Sequence, residues 1–229
     1  MVIPAYNEEA AIAGVIGEWG AALRSLRIDY RMIVVEDGSS DATGKILAEL
    51  AAGDPVHIRG IAQRNAGHGA ACRLGYGQAV LSDAAWVLQI DSDGQCEARN
   101  FAGFWDLRGA HDCVFGRRVS RGDGLGRRLV SAVCSAVAAA LAGAMAGDAN
   151  VPYRLMRRAA LERALPAVAP AFELQNVALT VALRRIPGLR WAWVPIAFPR
   201  RAGGANRLKW AGIARLAWSM WRRWEEPNP

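Results

Sequence analysis

The chain has 229 residues, 52% hydrophobic and 21% charged, a balance that suits one packed α/β domain and excludes an intrinsically disordered chain. Its net charge of +7 implies an acidic partner, and nucleic acid, an anionic membrane surface and a phosphorylated substrate all qualify. Seven basic residues with no acid among them lie between Arg200 and Arg223 (Arg200, Arg201, Arg207, Lys209, Arg215, Arg222, Arg223), which equals the whole excess.

In chain order, Met1-Val2-Ile3-Pro4 runs straight into a motif, without the basic region and apolar core of a secretory leader. The expectation is a cytosolic chain. Val2-Ile3 opens a first strand. A helix is expected from about Glu8 to Leu26, then a buried strand from Tyr30 to Glu36. Asp41 is a candidate N-cap for a helix reaching about Ala52. A strand follows from Val56 to Ala62, a helix from Gly69 to Leu81, and a strand over Trp86 to Ile90 that delivers Asp91 at its carboxyl end. Asp112 to Gly116 reads as another strand. Leu129 to Gly147 carries no charge, but it is mostly alanine, and a buried or interfacial helix is preferred to a membrane span. Tyr153 to Met156 and Trp191 to Phe198 read as strands, with a helix from about Glu173 to Arg184 between them. Cys72, Cys96, Cys113 and Cys134 have no zinc-like spacing and are expected as free, mostly buried thiols.

Strands alternating with helices make a mostly parallel sheet, and such sheets gather ligands at the carboxyl ends of their strands. Topology therefore points to one cleft holding Tyr6, Asp37 and Asp91. Asp91-x-Asp93-x-Gln95 supplies two carboxylates and an amide oxygen, hard ligands of the kind Mg²⁺ or Mn²⁺ accepts. Taken alone, the same run is an ordinary solvated turn. Pro4-Ala5-Tyr6-Asn7-Glu8-Glu9 places a ring and an acid after the first strand, and is equally a helix start capped by Asn7. Asp37 could accept from a base NH. Asn65-Ala66-Gly67-His68-Gly69 lets backbone approach a ligand, with His68 read as a surface residue.

These segments, in this order, resemble the catalytic domain of glycosyltransferase family 2, and among its members the polyprenyl-phosphate (dolichyl-phosphate) sugar transferases. The P-x-Y-N-E segment is Pro4 to Glu8, the acid pair with Gly-Ser is Glu36 to Ser39, N-x-G-x-G is Asn65 to Gly69, and D-x-D-x-Q is Asp91 to Gln95. Gly116-Arg117-Arg118, Asp148 with Tyr153 to Arg157, Val194-Pro195-Ile196 and Arg201-x-x-Gly204-x-x-Arg207 extend the likeness through nearly the whole chain. Glu36 departs from the usual Asp, His68 from Lys or Leu, and Ala205-Asn206-Arg207 from a Ser-Lys ending.

The resemblance implies a single GT-A, Rossmann-like domain over 1–206, with a mostly parallel sheet flanked by helices. A basic amphipathic helix and tail over 207–229 would belong to the same unit. Pro4, Tyr6, Glu8, Val35 and Asp37 would contact nucleotide, and Asp91, Asp93 and Gln95 would hold Mg²⁺ or Mn²⁺. Arg118, Arg127, Arg201 and Arg207 would face the donor diphosphate or acceptor phosphate, with Asp93 and Arg118 in catalytic roles. The implied reaction moves a sugar, with inversion, from a GDP- or UDP-sugar to a polyprenyl phosphate. A hydroxyl acceptor is the alternative, with Glu173 as base. A non-catalytic nucleic-acid-binding module is the remote alternative, and no nucleic-acid partner is expected, because the basic stretch carries no such motif.

On a helical wheel of about 100° per residue, Trp210, Ile213, Leu216, Met220, Trp221 and Trp224 share a face opposite Arg215, Arg222 and Arg223. That pattern suits either an anionic membrane surface or packing on the domain itself. The first reading places the protein peripherally on the inner face of a membrane.

Overall fold

The computed structural model describes residues 1–121, 132, 135, 136, 138–143, 147–169 and 174–199. Arg127, Cys134, Glu173, Arg201, Arg207 and the basic 207–229 segment lie outside the described residues.

Seven strands form one sheet: β1 (Val2–Ala5), β2 (Met32–Glu36), β3 (Ile58–Ala62), β4 (Trp86–Gln89), β5 (Cys113–Arg121), β6 (Arg154–Arg157) and β7 (Trp191–Phe198), in spatial order β3-β2-β1-β4-β6-β5-β7. β1, β2, β3 and β4 run parallel, β6 is antiparallel to both β4 and β5, and β7 is parallel to β5. The flanking helices are α1 (Ile12–Ser25), α2 (Thr43–Gly53), α3 (His68–Val80), α4 (Phe101–Leu107), α5 (Arg158–Ala164) and α6 (Gln175–Arg184). The expected mostly parallel α/β sheet is present. Among the described residues no helix is long and apolar enough to cross a membrane.

β2 is Met-Ile-Val-Val-Glu and buried along its whole length, as a strand covered on both faces must be. α1 buries Ile12, Val15, Ile16, Trp19 and Leu23, a helical stripe. Trp19 meets Phe101 and Tyr153 edge-on, each at 5.5 Å, and its indole N–H donates to Cys96 O at 3.0 Å. Glu18 Oε1 accepts from Ala98 N–H at 2.9 Å, so α1 anchors the loop that follows β4. α3 lies close on β1: a Cβ at Gly75 would meet Val2 Cγ1 at 2.4 Å. Cys72, Cys96 and Cys113 are buried free thiols.

Of the boundaries that differ from expectation, two have a clear cause. α1 begins at Ile12 rather than Glu8, because Asn7 takes a positive φ of 54° and the Glu8 and Glu9 amides donate to Thr43 Oγ1 and Asp41 Oδ2. β5 runs on to Arg121, since pairing with β7 carries it past Gly116 through an irregularity between Arg118 and Ser120. α4 and α5 were not anticipated: each is only seven residues long, too short for a periodic signal.

One ion cluster ties the sheet's right half together. Asp112 receives Arg190 Nε at 3.1 Å and Arg157 Nε at 3.0 Å. The Arg190 hydrogen bond, with help from Arg157, lowers the Asp112 carboxyl from 3.8 to about 2. A depressed carboxylate stabilises the fold above its unfolded pKa and loses that contribution as pH falls through its folded value. Asp112→Asn should therefore lower the urea midpoint at pH 7, and the gap from wild type should close between about pH 4 and 2. A gap that persists unchanged at pH 2 would contradict this.

Candidate active site

Because β1 to β4 are parallel, their carboxyl ends open on one edge, and the loops there meet in a cleft of about 360 Å³. Its walls include Pro4, Tyr6, Glu8, Asp37, Gly67, His68, Asp91 and Asp93. Tyr6 keeps 47% of its surface exposed, so its ring is available to a planar ligand. A second cavity of about 460 Å³ lies at the amino ends of the strands, among Ile33, Trp86, Trp105 and Leu155. It is the larger of the two, but it lies at the edge opposite the one where open α/β sheets bind ligands.

Cross-loop hydrogen bonds build the first wall. Asn7 Oδ1 accepts from Ser40 N–H at 2.8 Å, and Asn7 N–H donates to Ser39 Oγ at 3.0 Å. Asn7 thus staples the β1 loop to the β2 loop rather than capping a helix. Glu36 Oε1 accepts from Ser39 N–H at 2.5 Å and so braces the turn after β2. Asp41 Oδ1 accepts from Thr43 N–H at 3.0 Å at the start of α2.

Asp37 is almost fully buried, and its carboxylate organises the glycine loop. Oδ1 accepts from Gln63 Nε2 at 2.6 Å and Ala66 N–H at 2.9 Å, and Oδ2 from Gly67 N–H at 2.9 Å. Gly38 takes φ +68° with its Cβ position 2.6 Å from Asn65 N, so no side chain fits between the two loops. Val35 does not reach the cleft. Its side chain is wholly buried in the core, with Cγ2 3.3 Å from the Cβ position of Gly75. In a fully covered strand alternate residues face opposite layers of core, so only its main chain is left for a ligand.

The acidic run follows β4. Asp93 Oδ1 accepts from Gln95 N–H at 3.1 Å, and Gln95 Nε2 donates to Pro199 O at 2.6 Å. That bond occupies the nitrogen end of the Gln95 amide, while its oxygen end remains an acceptor. Among the described residues no three His, Cys, Asp or Glu side chains gather into a full cage. Asp91 and Asp93 line the cleft and Gln95 follows in the same turn, and two carboxylates with an amide oxygen are hard donors of the kind that suits a cation completed by phosphate and water. The residues therefore fit Mg²⁺ or Mn²⁺.

His68 belongs to this cleft and is not a mere surface residue. Its Nε2 lies 3.8 Å from Asp91 Oδ1 and 3.5 Å from Cys72 Sγ. Its neighbours Cys72, Asp91 and Asp93 raise the imidazole to about 10, against the opposing cost of burial. Its side chain remains 45% accessible, and a divalent cation on the same carboxylates would act in the opposite direction. A histidine opening a helix after a glycine loop was the only sequence signal for it.

Arg118 is held by an acid. It donates to Asp148 through Nε and Nη2, each at 2.7 Å, with side chains only 12% and 6% accessible. It is thus the cation of a part-buried bidentate pair, and it is not among the residues lining the 360 Å³ cleft. Asp148, thirty positions downstream in a loop, gave no sign of this pairing in sequence.

Residues 1–164 match the family model described as Glycosyl transferase family 2. The chain belongs to glycosyl transferase family 2. This family 2 enzyme is 29% identical over 193 residues to an undecaprenyl-phosphate 4-deoxy-4-formamido-L-arabinose transferase of Photorhabdus laumondii, covering 80% of this chain and 58% of the relative. It is 30% identical over 223 residues to a polyprenol monophosphomannose synthase of Mycolicibacterium smegmatis, covering 93% and 82%. Among solved structures, glucosyl-3-phosphoglycerate synthase of Mycobacterium tuberculosis, in complex with Mn²⁺, uridine diphosphate and phosphoglyceric acid, superposes with a TM-score of 0.70 at 19% identity. The match covers 99% of this glycosyltransferase and 78% of that chain, and bears out the fold.

Proposed function

We propose that this glycosyltransferase moves a sugar, with inversion, from a UDP- or GDP-sugar to a polyprenyl phosphate with the help of Mg²⁺ or Mn²⁺. The observation that carries the reading is the likeness to relatives named for undecaprenyl-phosphate and polyprenol sugar transfer, one of them aligned over 93% of this chain. The cleft supports it by gathering Tyr6, Glu8, Asp37, Asp91 and Asp93 at one edge.

Tyr6, Glu8 and the 65–67 loop ordered by Asp37 would hold the nucleoside. Asp91, Asp93 and the Gln95 amide oxygen would hold the cation. When bound, the cation neutralises charge developing on the diphosphate leaving group. A phosphate acceptor is already ionised, so the chain need supply no general base. Positioning and fixed charge then carry the rate. Arg127, Arg201 and Arg207 are the proposed phosphate contacts. Residues 207–229 would lay the domain on an anionic membrane, tryptophans inward and arginines toward the headgroups, at the inner face.

The test is transfer of labelled sugar from a panel of UDP- and GDP-sugars to undecaprenyl phosphate in detergent, against an alcohol acceptor. Product should form on the phosphate only, vanish with EDTA and return with Mn²⁺, and Glu173→Gln should be nearly silent. Transfer to the alcohol, with a loss of about a thousandfold in Glu173→Gln at intact donor binding, would establish the hydroxyl-acceptor chemistry instead. Full activity of metal-stripped protein would remove the cation from the reading.

A further inference from the structure

β4 is apolar except for its last residue, Gln89, which is completely buried between Leu88 and Ile90. A buried amide costs free energy unless both its ends are hydrogen-bonded. Both are. Gln89 Oε1 accepts from Tyr76 O–H at 3.1 Å, and Gln89 Nε2 donates to Asp91 Oδ1 at 3.3 Å. Tyr76 is itself completely buried.

His68, Cys72 and Tyr76 recur every four residues and share one face of α3. The close approach of that helix to β1 at Gly75 sets Tyr76 within reach of the end of β4. Among the described residues, two nitrogens are recorded near the Asp91 carboxylate, Gln89 Nε2 at 3.3 Å and His68 Nε2 at 3.8 Å, and both sit at Oδ1. One oxygen is thereby held by the protein, and Oδ2 is the one left for a ligand.

We propose that Gln89, oriented by Tyr76, is a positioning residue that fixes the Asp91 carboxylate and so sets how tightly the cleft holds a divalent cation. The proposal rests on Asp91 being a cation ligand, as in the function proposed above. Outer partners of metal-binding carboxylates typically change affinity by about 10–100-fold when removed. Tyr76 reaches Asp91 only through Gln89, so its loss should have the smaller effect.

The experiment measures Mn²⁺ affinity in the presence of UDP or GDP by electron paramagnetic resonance, with the thermal midpoint in parallel. The proteins are wild type, Gln89→Met, Tyr76→Phe, the double variant and Asp91→Asn. Each single change strands one buried polar group and should lower the midpoint. The double variant removes both members of the pair and should regain stability. Its Mn²⁺ affinity should nonetheless stay at least about tenfold weaker than wild type, as in Gln89→Met. A purely structural pair predicts the reverse, with affinity recovering alongside the midpoint. Wild-type affinity in the double variant would overturn the proposal. Equal Mn²⁺ affinity in wild type and Asp91→Asn would instead overturn the cation site itself, and the proposal with it.

Discussion

Asp93→Asn is expected to lower turnover at least about a hundredfold while the protein stays folded, the scale of losing one preorganised electrostatic stabiliser. The local geometry makes this a clean substitution. The Asp93 contact with its own turn is an acceptor contact, Oδ1 to Gln95 N–H at 3.1 Å, and an asparagine oxygen can accept the same bond. Charge is lost and the turn is kept. Initial rates with the preferred sugar nucleotide, together with circular dichroism, check both halves. Turnover within a few-fold of wild type would remove Asp93 from the site.

Arg118→Ala should unfold at markedly lower urea, by about 3 kcal/mol or more. The pairing with Asp148 gives Arg118 a part in the fold beside the phosphate contact expected of it. Removing one partner of a buried pair costs about 3–5 kcal/mol, because the other charge keeps its desolvation penalty without that counterion. Arg118 and Asp148 are 12% and 6% accessible, which places the pair near that regime. Replacing both, as Arg118→Met with Asp148→Leu, should recover much of the loss, since well-packed apolar residues can substitute for such pairs. A urea midpoint for Arg118→Ala equal to wild type would show that the guanidinium contributes nothing to the fold and would return it to the list of ligand contacts.

These two residues mark where reading the chain works and where it stops. Asp91 and Asp93 stand two positions apart directly after an apolar strand, so the local order of residues already brings them to one turn. Tyr6, Asp37 and the 65–69 loop are far apart in the chain, but each ends a parallel strand. Parallel strands have all their carboxyl ends at one edge, and this was enough to place them together. The alternation of strands and helices, the family motifs and the buried thiols were legible for the same reason: each is a local pattern.

What the tertiary structure alone decided depends on partners distant in sequence. Asn7 could cap a helix or staple a loop, and only the position of Ser39 and Ser40 selects the staple. Asp37 reads as a ligand contact, and three donors from 63–67 also make it the organiser of the neighbouring loop. His68 joins the cleft because α3 lies beside the end of β4. The Val35 side chain is turned into the core because its strand is covered on both faces, and Arg118 is paired because Asp148 brings a countercharge to it. Hydrogen bonds and ion pairs between distant residues carry no periodicity, so no pattern in the chain announces them. Burial then gives each its energetic weight, by making any unmatched group costly.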